Sequence, residues 1–563
     1  MVSGMQDTIR IEIEKAIKVL GWPEVDFVVD YPTDKNAGAD VFSNVALVLS
    51  KQVGQNPREV AEQLAAAVEG KIELVTLIEV AGPGFINFVV DRAYFKSKLE
   101  GVLDNPEAWG RNTTQAGEQV IVEYTSPNLF KPLHVGNLVG NIIGESFTRL
   151  FELSGATVTR ANYPSDIGLP VAKAVWGLQK TGNDPSKIEE LGAAYRVGNE
   201  AYELEGAEKE EIIAINQALY ADSDEELSRL RQAGIATSNA QVHAICEKLG
   251  THFDTEIFES EAAPVGSQIV QENIGKLFTE SEGAIVYDGE RSGLHTRVFL
   301  NSKGLPTYEA KDIGHYKLKH DQHPNWTQSI IVTGGEQAEY FKVVYAAIKE
   351  IFPDSAGKKL EHIPTGFLTL NTGKMSSRTG NVLTGESIIV DMEDAAKEKM
   401  SDRSQGDEAL ATQVAVAALK YEILRHGIGS NIVFDKEKAL SYEGASGPYL
   451  QYTYARIQSV LAKAGEAGVL ANVSVAPETA YVVEKLVEQF PSVIESALQD
   501  RAPQTVIVYL TELASEFNSF YAAEKIADPE DKFAPYKAAV AQAVGQTLKQ
   551  GLWALGIETP ERM

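Results

Sequence analysis

The chain has 563 residues, more than one hydrophobic core usually organises, so about three domains are expected. Its 44% hydrophobic and 23% charged residues are those of an ordinary globular protein, and no run of 18 apolar residues offers a membrane span. One cysteine, Cys246, excludes an internal disulfide and a multi-cysteine zinc site, and a net charge of −28 argues against the basic footprint of a nucleic-acid binder.

The N-terminus, MVSGMQDTIRIEIEKAIKVLGW, has early acidic residues and no apolar h-region. A secretory signal is not expected, and a cytoplasmic location fits the lone thiol. The first unit runs over 1–105. Ile9, Ile11, Ile13, Ala16, Ile17 and Leu20 lie mostly on one face of an opening helix. NPREVAEQLAAAVEGK reads as a helix capped by Asn56 with Pro57 at its first position. IELVTLIEVAGPGFINFVV reads as strands broken by a Gly-Pro-Gly turn, which makes a small α+β domain.

The second unit spans 106–395. QVIVEYTS is a buried strand, VGNLVGNIIGESFTRLFELSG a helix with a glycine stop, and TVTRANY the next strand. Strand, helix, strand is a βαβ unit, so an α/β fold with a Rossmann-like parallel, nucleotide-binding sheet is expected. A largely helical, acidic insertion occupies about 177–285, and strands return with AIVYD, RVFLN and SIIVTG. The third unit, 396–563, reads as all-α and is net acidic from Lys436 onward.

Two motifs carry chemistry. SPNLFKPLHVGN, Ser126 to Asn137, falls at a strand–helix junction, where exposed N–H groups and the helix dipole favour phosphate. His134 can donate to a phosphate oxygen, and Gly136 lets a nucleotide approach the backbone. Gly140 and Gly144 recur at the spacing of helix packing. Lys131 is either a second cation over the phosphates or an exposed loop lysine. The other motif, GKMSSRTGN, joins a lysine, two hydroxyls and flanking glycines in a loop able to cover a triphosphate. There Lys374 meets the charge of leaving pyrophosphate, and Ser376 and Ser377 bond phosphate oxygens.

Together these resemble the paired signatures of class I aminoacyl-tRNA synthetases, written HIGH and KMSKS. Two departures stand out. Asn137 occupies the place of the second histidine, donating without carrying charge, and KMSSR lacks the second lysine. The resemblance implies ATP with Mg2+ on its phosphates, with Met375 beside Lys374 in the ATP site and Asn137 among the catalytic residues. No tightly held protein metal is expected.

Several stretches resemble the arginine-specific family of this class. They are VIVEYTSPNLFKPLHVGN, LPTYEAKDIGHYK, IIVTGGEQAEYFK, ALSYEGASGPYLQYTYARIQSVLAKAG and the terminal LGIETPERM. DVFSNVALVLSK, with NPREVAEQLA and VAGPGFINF, resembles its extra N-terminal domain. A guanidinium asks for carboxylates or carbonyl oxygens in planar array. The resemblance puts Tyr308, Asp312 and Gln337 on the arginine side chain, and Asn128 on its α-amino or carboxyl end, with Glu123 nearby. Tyr308 and Asp312 are four apart on what reads as a short helix. Tyr340 stands where the family commonly has histidine, and either stacks on adenine or packs. Asp166 either meets substrate or tRNA, or caps its loop. The resemblance further implies that activation needs bound tRNA, that 1–105 touches the tRNA elbow, and that 396–563 binds the anticodon. Tyr449, Tyr452 and Arg456 would face unpaired bases, against a plain alternative in which tyrosines at helical spacing make core. A monomer is expected. The rival readings are another class I synthetase and a silent RNA-binding paralogue.

Overall fold

The computed structural model describes residues 4–32, 38–204, 206–371, 384–400 and 407–563. The first domain opens with α1 (Met5–Val19), β1 (Val29–Asp30), β2 (Val41–Ser43), α2 (Val45–Val53) and α3 (Pro57–Val68). It closes with β3 (Val75–Ala81), β4 (Phe85–Val90) and α4 (Arg92–Asp104). Ile9, Ile13, Ala16 and Ile17 of α1 are buried, whereas Ile11 is 46% exposed, because i+2 turns about 200° from the buried stripe. Asn56 caps α3 as expected, accepting from Arg58 N at 2.9 Å. The four strands form an antiparallel sheet in the order β1-β2-β4-β3, with its own hydrophobic core.

The second domain begins with β5 (Gln119–Glu123), α5 (Val135–Leu153), β6 (Thr157–Asn162), α6 (Leu169–Thr181), α7 (Ile188–Glu203), α8 (Ala207–Ala221) and α9 (Glu225–Lys248). Then follow β7 (Thr255–Glu256), α10 (Glu259–Glu272), β8 (Phe278–Ser281), β9 (Ala284–Tyr287) and β10 (Arg297–Leu300). It continues with α11 (Tyr308–Gln322), β11 (Gln328–Gly334), α12 (Ala338–Ile351), β12 (Lys359–Thr365) and β13 (Leu368–Leu370). Five strands make one parallel sheet in the order β12-β11-β5-β6-β7. Chain order reverses between β5 and β11, the position where open parallel sheets bind ligands. The helical stretch between β6 and β8 returns to this sheet midway, through β7 against Ala161 and Asn162. AIVYD and RVFLN do not join it; with β8 they form a separate antiparallel sheet.

The rest is helical: α13 (Gly385–Met400), α14 (Glu408–Leu424), α15 (Lys436–Ala439), α16 (Gly447–Glu466), α17 (Val482–Gln499), α18 (Gln504–Ala523) and α19 (Ala534–Ala554). One short strand, β14 (Ile432–Phe434), pairs with β13. The helices share a continuous core with the parallel sheet. The chain's end wedges under α5. Ser146 donates to Ala554 O at 3.2 Å and Arg149 to Trp553 O at 3.1 Å. Buried Lys420 donates to the carbonyls of Leu249 and Gly556, and burial pulls its ammonium down to about 7. The first domain docks on α17 through buried carboxylates. Glu488 accepts from Tyr31 at 2.8 Å and Tyr94 at 2.5 Å, and Glu484 pairs with Arg92 at 2.8 Å.

Candidate active site

At the carboxyl edge of β5 the chain turns sharply before entering α5. Thr125, Ser126 and Phe130 have φ of 74°, 40° and 67°, a region costly for side chains, above all for a β-branched one. The turn is held from several sides. Leu129 N donates to Ser165 O at 3.1 Å and Ser165 N to Pro127 O at 2.9 Å, so Asn128 lies in a bridge to the loop after β6. Phe130 N donates to Ser238 Oγ, and its ring fills the space a Cβ on Gly234 would need. Asn137 Nδ2 donates to the carbonyls of Thr125 at 2.8 Å and Ser126 at 3.3 Å. Its amide protons therefore go to the turn itself. The job at this position is a neutral double donation to carbonyls, which explains why asparagine serves there.

His134 is exposed and caps α5, its Nδ1 accepting from Gly136 N at 3.0 Å. Partial burial, then the neighbouring Lys131, lower its pKa, so the ring is neutral near pH 7 with its proton on Nε2. A Cβ on Gly136 would sit 3.2 Å from that Nδ1 and crowd the cap. Gly144 does pack closely, since a Cβ there would meet the Tyr124 ring at 2.3 Å; at Gly140 nothing comes nearer than 3.6 Å. Lys131 is half-buried with its Nζ 5.5 Å from the Tyr195 ring centroid, and burial lowers its pKa.

Lys374, Met375, Ser376 and Ser377 lie outside the described residues. The chain resumes against the other motif. Thr384 forms a bridge with His134, and Gly385 N donates to Leu133 O at 2.7 Å.

The opposite wall is α11, a helix of 15 residues rather than a short one. It meets α10 backbone to backbone. A Cβ on Gly266 or Gly314 would lie 1.8 or 2.0 Å from the carbonyl of Ala310 or Ala262. Several titratable groups of α11 are buried, Lys311, His315 and Lys319 among them. Lys311 pairs with Glu259 at 2.7 Å. His315 and Lys319 both donate to Glu123 Oε2, at 2.8 and 2.5 Å. Burial alone would raise the Glu123 pKa, but Lys319 and His315 outweigh it and hold the carboxyl well below the usual carboxylate range. Glu123 thus anchors α11 to β5.

Asp312 faces the same small cavity as Glu123. It is half-buried. Tyr340 OH donates to Oδ2 at 2.6 Å. Burial pushes the Asp312 pKa up to about 8; the Tyr340 hydroxyl opposes this, and Glu123, Glu259 and Glu309 add to it. Of the two roles open to Tyr340, the ring packs, with Arg297 5.3 Å from its centroid. Ser126 Oγ, Tyr163 OH, Arg297 Nε and His315 Nδ1 are buried with no hydrogen-bond partner among the described residues.

The remaining expected residues are dispersed. Tyr308 starts α11 and is 53% exposed, with Lys311 Nζ 5.0 Å from its ring. Gln337 is exposed after β11, accepting from Thr333 Oγ1 at 3.2 Å. Asp166 is buried and accepts from Ser260 N at 2.8 Å, Ser260 Oγ at 2.7 Å and Arg231, so it ties its loop to α9 and α10. On α16, Tyr449, Tyr452 and Arg456 are half-buried. Asn518 donates to Tyr449 OH at 3.0 Å, and Arg456 lies over the rings of Tyr452 and Tyr521 at 4.8 and 5.7 Å. Neighbouring Tyr454 is core. Sequence reasoning missed Tyr163, His315 and Lys319. The i, i+3, i+7 spacing of Asp312, His315 and Lys319 was the available signal.

Comparison with known proteins fits this geometry. Residues 99–436 match the family described as "tRNA synthetases class I (R), catalytic domain", and residues 450–563 match the "DALR anticodon binding domain". The sheet and its helix-end histidine are therefore those of a class I aminoacyl-tRNA synthetase catalytic domain. Residues 5–90 match the "Arginyl tRNA synthetase N terminal domain". The chain is 30% identical over 548 residues to an arginine–tRNA ligase of Fusobacterium nucleatum, covering 94% of both. It is 28% identical over 557 residues to one of Oenococcus oeni, covering 96% of both. Among solved structures it matches Thermus thermophilus arginyl-tRNA synthetase with a TM-score of 0.81 at 24% identity, over 100% of both chains. The Plasmodium falciparum arginyl-tRNA synthetase gives 0.79 at 20%, again over 100% of both. The chain belongs to the arginyl-tRNA synthetase family.

Proposed function

We propose that this chain activates arginine with ATP and transfers it to the 3′ end of its tRNA, in the cytoplasm and as a monomer. Arginine's carboxylate attacks the ATP α-phosphate, and pyrophosphate leaves. A hydroxyl of the tRNA's terminal adenosine then attacks the adenylate carbonyl, and AMP leaves. Mg2+ enters on the triphosphate as part of the substrate. His134 donates Nε2–H to a phosphate oxygen at the positive end of α5. Lys131 adds charge, Gly136 gives access, and Asn137 holds the turn on which both depend. Lys374, Met375, Ser376 and Ser377 complete the ATP site, the lysine meeting charge on pyrophosphate. Asp312 takes the guanidinium, with Tyr308 and Gln337 around it. Asn128 takes the α-amino or carboxyl end, and Glu123 fixes the helix that carries Asp312.

The observation that carries this reading is Asp312 itself. A half-buried carboxyl that shares its cavity with Glu123, is bonded by Tyr340 OH at 2.6 Å and is pushed up by burial and neighbouring acids gains most from a cation. Residues 1–105 would contact the tRNA elbow, 106–395 perform the chemistry, and 396–563 bind the anticodon, with Tyr449, Tyr452 and Arg456 offered to unpaired bases. The test is ATP–pyrophosphate exchange with each amino acid, with and without tRNA. Exchange with arginine alone, and strongest with tRNA, supports the whole reading. Exchange with another amino acid overturns the pocket assignment, and equal exchange without tRNA overturns the tRNA dependence.

A further inference from the structure

We infer that Tyr340 is a positioning residue for arginine selectivity, its hydroxyl holding Asp312 in the orientation and ionisation state that a guanidinium requires. This rests on the reading of Asp312 as the guanidinium's partner. The geometry is specific. Asp312 and Tyr340 come from different helices, α11 and α12, and meet through one hydrogen bond of 2.6 Å. The Tyr340 ring is itself fixed. Arg297, from β10, lies 5.3 Å from its centroid and is held at 3.1 Å by Glu309 of α11.

The acids facing Asp312 work against its ionisation, and the nearby cations pair with other carboxylates. Glu309 stands on its own helix, Glu123 on β5 and Glu259 on α10, all raising its pKa. Tyr163 at the end of β6 and Tyr345 on α12 feel its charge without bonding it. His315 and Lys319 on α11 and Lys311 beside Glu259 are spent on other carboxylates. Tyr340 is thus the group that favours the charged carboxylate by direct donation. Burial pushes the Asp312 carboxyl up to about 8 even with the Tyr340 bond in place, and a bound guanidinium favours its charged form. Losing the Tyr340 hydroxyl raises the Asp312 pKa further, so the cost falls on arginine affinity below the pKa and vanishes above it.

The experiment is arginine-dependent ATP–pyrophosphate exchange, with tRNA present, for wild type, Tyr340→Phe, Tyr340→His and Asp312→Asn, from pH 6.5 to 9.5. Tyr340→Phe is expected to raise the arginine KM ~10-fold near pH 7 with kcat little changed. The ratio to wild type should shrink toward one above pH 9, with the acid limb of kcat/KM moved up by about one pH unit. Tyr340→His, which can still donate an N–H, should recover part of the loss. A Tyr340→Phe effect that is absent, or that stays constant across pH as a packing defect would, overturns the inference. If Asp312→Asn leaves the arginine KM unchanged, the reading of the pocket fails and takes this inference with it. If Asp312→Asn raises KM while Tyr340→Phe does not, the pocket reading stands and the role of Tyr340 falls.

Discussion

Around His134 the working groups are half-exposed and lean on main chain. A ring nitrogen caps a helix, an amide braces two carbonyls, and three residues sit in left-handed backbone to make the turn. Along α11, on the other side of the same sheet edge, the groups are buried and lean on one another. Glu123, His315 and Lys319 close a triad, Lys311 and Glu259 a pair, and Asp312 waits with one tyrosine. For the proposed phosphate role, shared by every nucleotide, shape and a helix end suffice. For the proposed amino-acid role, a half-buried charge must be propped from several strands and helices.

The largest test of this contrast is Asp312→Asn. It should cut kcat/KM for arginine by about 10^3-fold, in the range seen when one partner of a desolvated charge pair is removed. The KM for ATP should move by less than about twofold, since uniform binding at the other end is untouched. Steady-state exchange kinetics decide it, and equal losses for both substrates would erase the division between the two ends. Next in size is Lys319→Met, which leaves Glu123 buried with His315 as its remaining partner. A stability loss of about 3–5 kcal/mol is expected in chemical denaturation. Its pH dependence sharpens the point. The folded Glu123 pKa lies below the unfolded value, so its contribution is full above about pH 4.3 and drains as pH falls through the acid range. That acid-side loss should be shallower in Lys319→Met. Smallest is Asn137→Ala, which should slow adenylate formation by about 10-fold through a loosened turn. Single-turnover measurements should find the arginine KM unchanged; a raised KM would mean the two ends are not separately built.

What the sequence made legible follows the range of the interactions. The Asn56 cap, the glycine stop after α5 and the βαβ order are local, and each is written within a few residues. His134 at the head of a helix was readable for the same reason. The Glu123–Lys319 contact joins residues 196 apart, and the Tyr340–Asp312 bond joins residues 28 apart across a strand. No periodicity announces such pairs. Asn137 was read as a donor to substrate because its chemistry allows it, yet its neighbours in space are two carbonyls that only the folded turn presents. Likewise the Gly266–Gly314 contact that seats α11 looks, in sequence, like two unremarkable helix glycines.

The stapling of residues 553–556 beneath α5 has a consequence for how the protein comes into being. Ser146 and Arg149 bond carbonyls 408 and 404 positions downstream. During synthesis at ~5–20 residues per second, that interval is roughly 20–80 s. Throughout it the nascent catalytic helix has one flank uncovered. The helix bearing His134 is among the first of the sheet's partners to leave the ribosome and among the last to acquire its full surroundings.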